Sequence, residues 1–161
     1  KRPKKERNYL FKLIKSYFLK EIGSIIKQGI KLQILGEVKK FSTDLKLVLK
    51  KSTFLTKENK KIIVNLAINY GSRTEILKAV KKTRNNLSIK NIHKNLYTKK
   101  IPDPDILIRT GGYQRLSNFL LWQLAYTELF FFKKLWPDFN SNDLFKVINQ
   151  YKKIKRNYGN I

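Results

Sequence analysis

The chain has 161 residues, 42% of them hydrophobic and 12% aromatic, enough to bury a core and too apolar for a disordered segment. It contains no cysteine, which excludes disulfides and thiolate metal sites, and its formal charge is +25. No run approaches the roughly 20 apolar residues of a membrane-spanning helix; the most apolar window, 119–132, is broken by Gln123, Thr127 and Glu128.

Apolar residues from Tyr9 to Ile26 (Leu10, Leu13, Ile14, Tyr17, Phe18, Ile22, Ile25 and Ile26) recur at helical spacing and predict an amphipathic helix. Ile30, Leu32 and Ile34 alternate with Lys31 and Gln33, a short strand ended by Gly36. Ser42 is expected to cap a helix reaching about Phe54. Ile62 to Ile68, interrupted only by Asn65, reads as a buried parallel strand. Ser72 followed by Glu75 predicts a capping box for the next helix. After Pro104 comes a strand, Ile106 to Ile108, that delivers Arg109 into a loop. Then follow a helix from about Ser117, a short strand Leu129 to Phe132, and a final helix capped by Ser141 and reaching about Asn157. Strands alternating with helices predict a single α/β domain over 1–161, with a mostly parallel central sheet flanked by helices. In such folds ligands sit at the carboxyl ends of strands, where both Asn69-Tyr70-Gly71 and Arg109-Thr110-Gly111 fall.

The charge resembles a nucleic-acid signature, but 29 of the 36 basic residues are Lys, spread along the chain among Asn and Ile. That is a solvated basic surface, and no nucleic-acid partner is expected. Where Lys is the default cation, each Arg becomes informative, because a planar fork cannot be replaced by an ammonium without loss. Two of the seven, Arg109 and Arg115, flank Thr110-Gly111-Gly112 and precede Ser117. Two guanidinium forks, glycine amides and a helix N-terminus converging on one place can hold a phosphate or diphosphate. The same pattern also describes a strand–loop–helix with two solvated arginines.

The stretch Ile-Arg-Thr-Gly-Gly-x-x-Arg-Leu-Ser-Asn-Phe-Leu-Leu-Trp-Gln-x-Ala-Tyr-x-Glu-Leu-x-Phe, with Leu-Trp-Pro-Asp-Phe after it, resembles the cis-prenyltransferases, and bacterial undecaprenyl diphosphate synthases most of all. Asn69-Tyr70-Gly71-Ser72-Arg73 and Arg2-Pro3 extend the resemblance to essentially the whole chain, matching the later two-thirds of a family member. The resemblance implies a cis-prenyltransferase-like fold. It also implies an enzyme that condenses isopentenyl diphosphate onto an allylic diphosphate such as farnesyl diphosphate, giving an undecaprenyl-type product. Arg109, Arg115, Leu116 and Ser117 would grip the isopentenyl diphosphate, Arg2 would belong to a substrate loop, and Glu128 would take Mg2+. A homodimer in the cytoplasm, with peripheral membrane contact, is the matching expectation.

The family's catalytic aspartate, in Asp-Gly-Asn-Gly-Arg, has no counterpart here, and no residue of this chain is assigned that role. With no Met anywhere, Lys1 is not an initiator, so an upstream catalytic segment is expected to be missing and the chain alone to be inactive. A non-catalytic subunit of a heteromeric enzyme is the first alternative, and a basic nucleic-acid-binding protein, resting on charge only, the second. Tyr113 stands where the family commonly has Glu, and Asn157 where its ending has Arg. His93, the lone histidine, is expected to be a surface residue, and Phe119, Leu120, Trp122, Tyr126 and Phe130 to Phe132 to be core, with the lining of a hydrocarbon tunnel left open for some of them.

Overall fold

In the computed structural model the periodic segment near the N-terminus forms one long helix, α1 (Lys4–Lys27), entered from Pro3 and released at Gly29. Residues 3–156 are described; Arg2, Asn157 and Gly159 lie outside them. The chain divides into two compact units, Lys1–Tyr70 and Gly71–Ile161. Among the described residues no helix is long and apolar enough to cross a membrane.

In the first unit α1 is followed by β1 (Ile30–Leu35), α2 (Thr43–Leu55) and β2 (Ile62–Ala67). The strands pair in parallel, Ile30 opposite Ile62 through Leu35 opposite Ala67. Ser42 caps α2 as expected, its hydroxyl accepting the Leu45 amide. Phe18 and Ile25 of α1, Leu32 of β1 and Leu45 and Leu49 of α2 close a core with Phe41. Burying that many large side chains drives the unit together, at ~1.5–3 kcal/mol for each one taken out of water. The Thr56 hydroxyl accepts the Leu32 amide, so the end of α2 is stitched to β1 by a buried polar bond. The strand β2 is less covered than its apolar run predicts. Ile62 and Ile63 are each 53% exposed, because within the unit the strand pairs with β1 alone.

The apolar surface of α1 is wider than its core contact. Leu13 and Tyr17 stay half-exposed, and with Ile14, Phe18 and Val64 they line an apolar cavity of about 540 Å³ against β1 and β2.

The second unit holds α3 (Ser72–Thr83), a short α4 (Ile89–His93), β3 (Ile106–Arg109), β4 (Glu128–Phe131) and α5 (Ser141–Tyr151). Strands β3 and β4 are parallel, with Ile106 opposite Glu128 and Arg109 opposite Phe131. Apolar burial centres on Ala79, Leu96, Leu124 and Val147, and beside them Ser72, Glu75, Thr98 and Gln123 are also buried. Buried polar groups need partners. The Glu75 carboxylate accepts the Tyr97 amide at 2.6 Å and the Gln123 side-chain amide at 3.3 Å, and that amide also donates to the Thr98 hydroxyl.

Three local expectations change. Glu75 is spent on this network, and Ser72 is the first residue of α3 after Gly71, so no capping box forms there. The last helix is capped by Asn140 and Asp143 in a reciprocal box, one residue before the expected Ser141, and it ends at Tyr151. No helix starts at Ser117. Ser117, Asn118 and Leu120 have φ of 50°, 64° and 45°, and 117–126 is a chain of turns. Left-handed backbone at L residues costs on the order of 1 kcal/mol each, so outside contacts must hold it.

Candidate active site

The site grows from the carboxyl end of β3. Arg109 is the last residue of that strand and is half-buried. Its Nη1 donates to the Arg115 carbonyl and, at 3.0 Å, to the Ser117 hydroxyl. One guanidinium thus closes the loop on itself and binds strand end, loop and hydroxyl together. Arg115 projects its own guanidinium to solvent over the Tyr113 ring, 4.1 Å from the centroid. Such a contact is worth about 0.5–1 kcal/mol at an exposed position. Tyr113, where the family commonly has a carboxylate, therefore supports Arg115 without neutralising it.

The glycines do a different job from the one their sequence suggests. The Gly111 amide donates to the Lys134 carbonyl at 2.7 Å and the Gly112 amide to the Phe132 carbonyl at 2.9 Å. Neither amide is free to cradle a phosphate. Their φ values of 91° and 79° turn the chain back along the exit of β4, a conformation that glycine adopts without Cβ cost. With the helix also absent, the grip available to an anion rests on side chains: the two guanidinium groups and the Ser117 hydroxyl. Leu116 is half-buried beside them, its carbonyl accepting the Phe119 amide.

Glu128 lies elsewhere. It opens β4 opposite Ile106, three register steps from Arg109, or about 10 Å at ~3.3 Å per residue. By strand alternation it faces the other side of the pair. Its side chain is half-buried, and its backbone amide donates to the Asp105 carbonyl. Among the described residues no three His, Cys, Asp or Glu side chains converge as a metal cage. Glu128 is thus one carboxylate and not a complete site, which still suits Mg2+, an ion that usually takes one or two carboxylates plus phosphate oxygens and water.

Asn118 was not visible as part of this arrangement in the sequence. Its backbone carbonyl accepts the Ser72 amide at 2.9 Å, and its side-chain oxygen accepts the Arg73 amide at 2.8 Å. One signal could have marked the neighbourhood: 29 lysines are scattered through the chain, yet residues 101–132 contain none, and the only cations there are Arg109 and Arg115.

An α/β chain with paired arginines at a strand end has side chains of the right chemistry for a phosphate, and comparison with known proteins shows its family. Residues 1–159 match the prenyltransferase family described as "Putative undecaprenyl diphosphate synthase". An isoprenyl transferase of Rickettsia felis is 42% identical over 158 residues, covering 96% of this chain and 67% of the relative. One of Clostridium perfringens is 39% identical over 171 residues, covering 100% of this chain and 68% of the relative. Among solved structures, a "probable undecaprenyl diphosphate synthase" of Campylobacter jejuni superposes with a TM-score of 0.90 at 30% identity, covering 98% of this chain and 76% of that one. A lavandulyl diphosphate synthase from Lavandula x intermedia, solved with dimethylallyl diphosphate, gives 0.92 at 30% identity, covering 98% and 73%. The chain belongs to the undecaprenyl diphosphate synthase family of cis-prenyltransferases.

Proposed function

We propose that this chain holds isopentenyl diphosphate for cis-prenyl chain elongation, with Arg109, Arg115 and Ser117 as the diphosphate grip. An allylic diphosphate such as farnesyl diphosphate is the second substrate, and the product is a long, undecaprenyl-type diphosphate. The observation that carries this reading is the half-buried Arg109 fork, locked to the Ser117 hydroxyl beside an exposed Arg115, in a stretch without lysine. Elongation joins the terminal alkene carbon of isopentenyl diphosphate to the first carbon of the allylic substrate. The allylic C–O bond breaks, pyrophosphate leaves, and one proton is lost from the isopentenyl unit. Isopentenyl diphosphate keeps its own diphosphate through that step because its C–O bond is not allylic and gives no stabilised cation; the bidentate, charge-assisted grip fixes its orientation. Within the first unit, the cavity between α1 and the β1–β2 pair is lined by apolar side chains, a chemistry that suits a hydrocarbon.

Mg2+ is part of the same proposal. Glu128 is the carboxylate of this chain that would take it, with diphosphate oxygens and water completing the shell. The ion would supply charge neutralisation to a diphosphate. Arg2 is proposed as a further substrate contact. Homodimerisation and contact with a membrane surface also belong to this reading. The 161 residues contain no Asp-Gly-Asn-Gly-Arg, and we expect them alone not to elongate farnesyl diphosphate; chain growth on mixing with both substrates and Mg2+ would overturn that.

The direct test is calorimetric titration of the chain with isopentenyl diphosphate. Binding should be displaced by pyrophosphate, untouched by isopentenol, and lost in Arg115→Gln. Binding that survives Arg115→Gln unchanged rejects the assignment.

A further inference from the structure

Helix α3 lacks a side-chain cap of its own, because its N-cap residue is Gly71. Its first amides are nevertheless satisfied from about 45 residues downstream. Asn118 takes the Ser72 amide on its backbone carbonyl and the Arg73 amide on its side-chain oxygen. In return the Ser72 hydroxyl, on a residue with no exposure, accepts the Leu121 amide at 2.9 Å. The two segments are therefore laced in both directions, with Asn118 standing in the position of a helix cap.

Gly71 is glycine for this contact and not for its backbone angle. Its φ is −157°, extended backbone that any residue adopts. A Cβ there would lie 2.9 Å from the Asn118 side-chain nitrogen. The Asn118 amide cannot swing away without breaking the bond to the Arg73 amide. What the seat fixes is the left-handed backbone at Asn118 and at its neighbour Ser117, whose hydroxyl receives Arg109.

We propose that Asn118, seated on Gly71 and the first turn of α3, is a positioning residue that holds Ser117, and through it the Arg109 guanidinium, in the geometry that grips a diphosphate. The proposal rests on the anion-site reading above. It assigns the Gly71-Ser72-Arg73 turn a role: the turn is the template on which the diphosphate loop is folded, and its amides are occupied by Asn118.

Three single variants of the full chain and one double separate this role from a merely structural one. Inorganic pyrophosphate affinity is measured by calorimetry, and hydrogen exchange at the Ser72 and Arg73 amides by NMR. Asn118→Ala removes the acceptor and disfavours the left-handed backbone, and should weaken pyrophosphate about tenfold while exposing the Arg73 amide. Asn118→Gly keeps the backbone freedom and should lose only about threefold, which also covers the case in which the alanine variant does not fold. Gly71→Ala touches no ligand and should weaken pyrophosphate as well, with no further loss when combined with Asn118→Ala, because both break one contact. Faster exchange with unchanged pyrophosphate affinity in the folded variants overturns the positioning role. If the wild-type chain binds no pyrophosphate while Arg73 remains protected, the anion-site reading fails, and Asn118 is only a cap.

Discussion

Replacing Arg109 by lysine keeps the charge and removes the fork, so it isolates what the planar geometry does. In the wild type a single nitrogen of Arg109 serves the Arg115 carbonyl and the Ser117 hydroxyl, and in the proposed grip its other donors serve the diphosphate. An ammonium on a flexible stem can reach one of those acceptors or the ligand, but not hold all three. The loss is one hydrogen bond from a charged donor, ~1.5–3 kcal/mol. Arg109 is half-buried and partly screened, so the lower end applies, about 1.5 kcal/mol or roughly tenfold in pyrophosphate affinity. The assay is calorimetric titration with pyrophosphate at two salt concentrations, beside Arg109→Gln. The salt slope of Arg109→Lys should match the wild type, since no charge is lost, while Arg109→Gln should show a shallower slope and weaker binding. An Arg109→Lys variant binding within about twofold of wild type would refute the reasoning and leave only charge as the operating feature.

Glu128→Gln should weaken Mg2+ binding by the chain and leave metal-free isopentenyl diphosphate binding at Arg109 and Arg115 unchanged, checked by titrating the ion and the diphosphate separately. Acid should weaken the second unit at a defined place. The Lys134 ammonium, helped by the Asn140 amide, holds the Asp143 carboxyl below its ordinary value, and Arg156 with the Tyr151 hydroxyl does the same for Asp105. Depressed carboxyls stabilise the fold above the ordinary value of 3.8 and lose that contribution as pH falls through the depressed values, so the urea midpoint should drop below about pH 4. Asp143→Asn should flatten that drop and lower the midpoint at neutral pH. In the first unit, Leu45 is 2% exposed in the core, and Leu45→Ala should cost ~2–5 kcal/mol, seen as a lower denaturation midpoint with an unchanged slope.

Patterns that depend on near neighbours were readable from the amino-acid order. The periodicity of α1, the Ser42 cap, the alternation of β1 and the apolar run of β2 are local in origin, and they appear with shifted boundaries, α1 starting five residues before Tyr9. So does the strand that ends in Arg109, and so does the family, because its motif is a continuous run of side chains. The fate of hydrogen-bonding groups was not readable in this way. The glycine amides looked available for a phosphate, but the Phe132 and Lys134 carbonyls, 20 or more residues away in sequence, occupy them. Ser117 and the residues after it have helical composition, yet the pairing of Asn118 with Ser72 and Arg73 holds the chain left-handed, and a long-range contact outweighs local propensity. Glu75 looked like a cap and became the acceptor of a buried network reaching Tyr97 and Gln123. Sequence determined which residues could bind a diphosphate; tertiary structure decided which of their polar atoms remain free to do so, since each donor and acceptor is claimed by whatever the fold brings within reach.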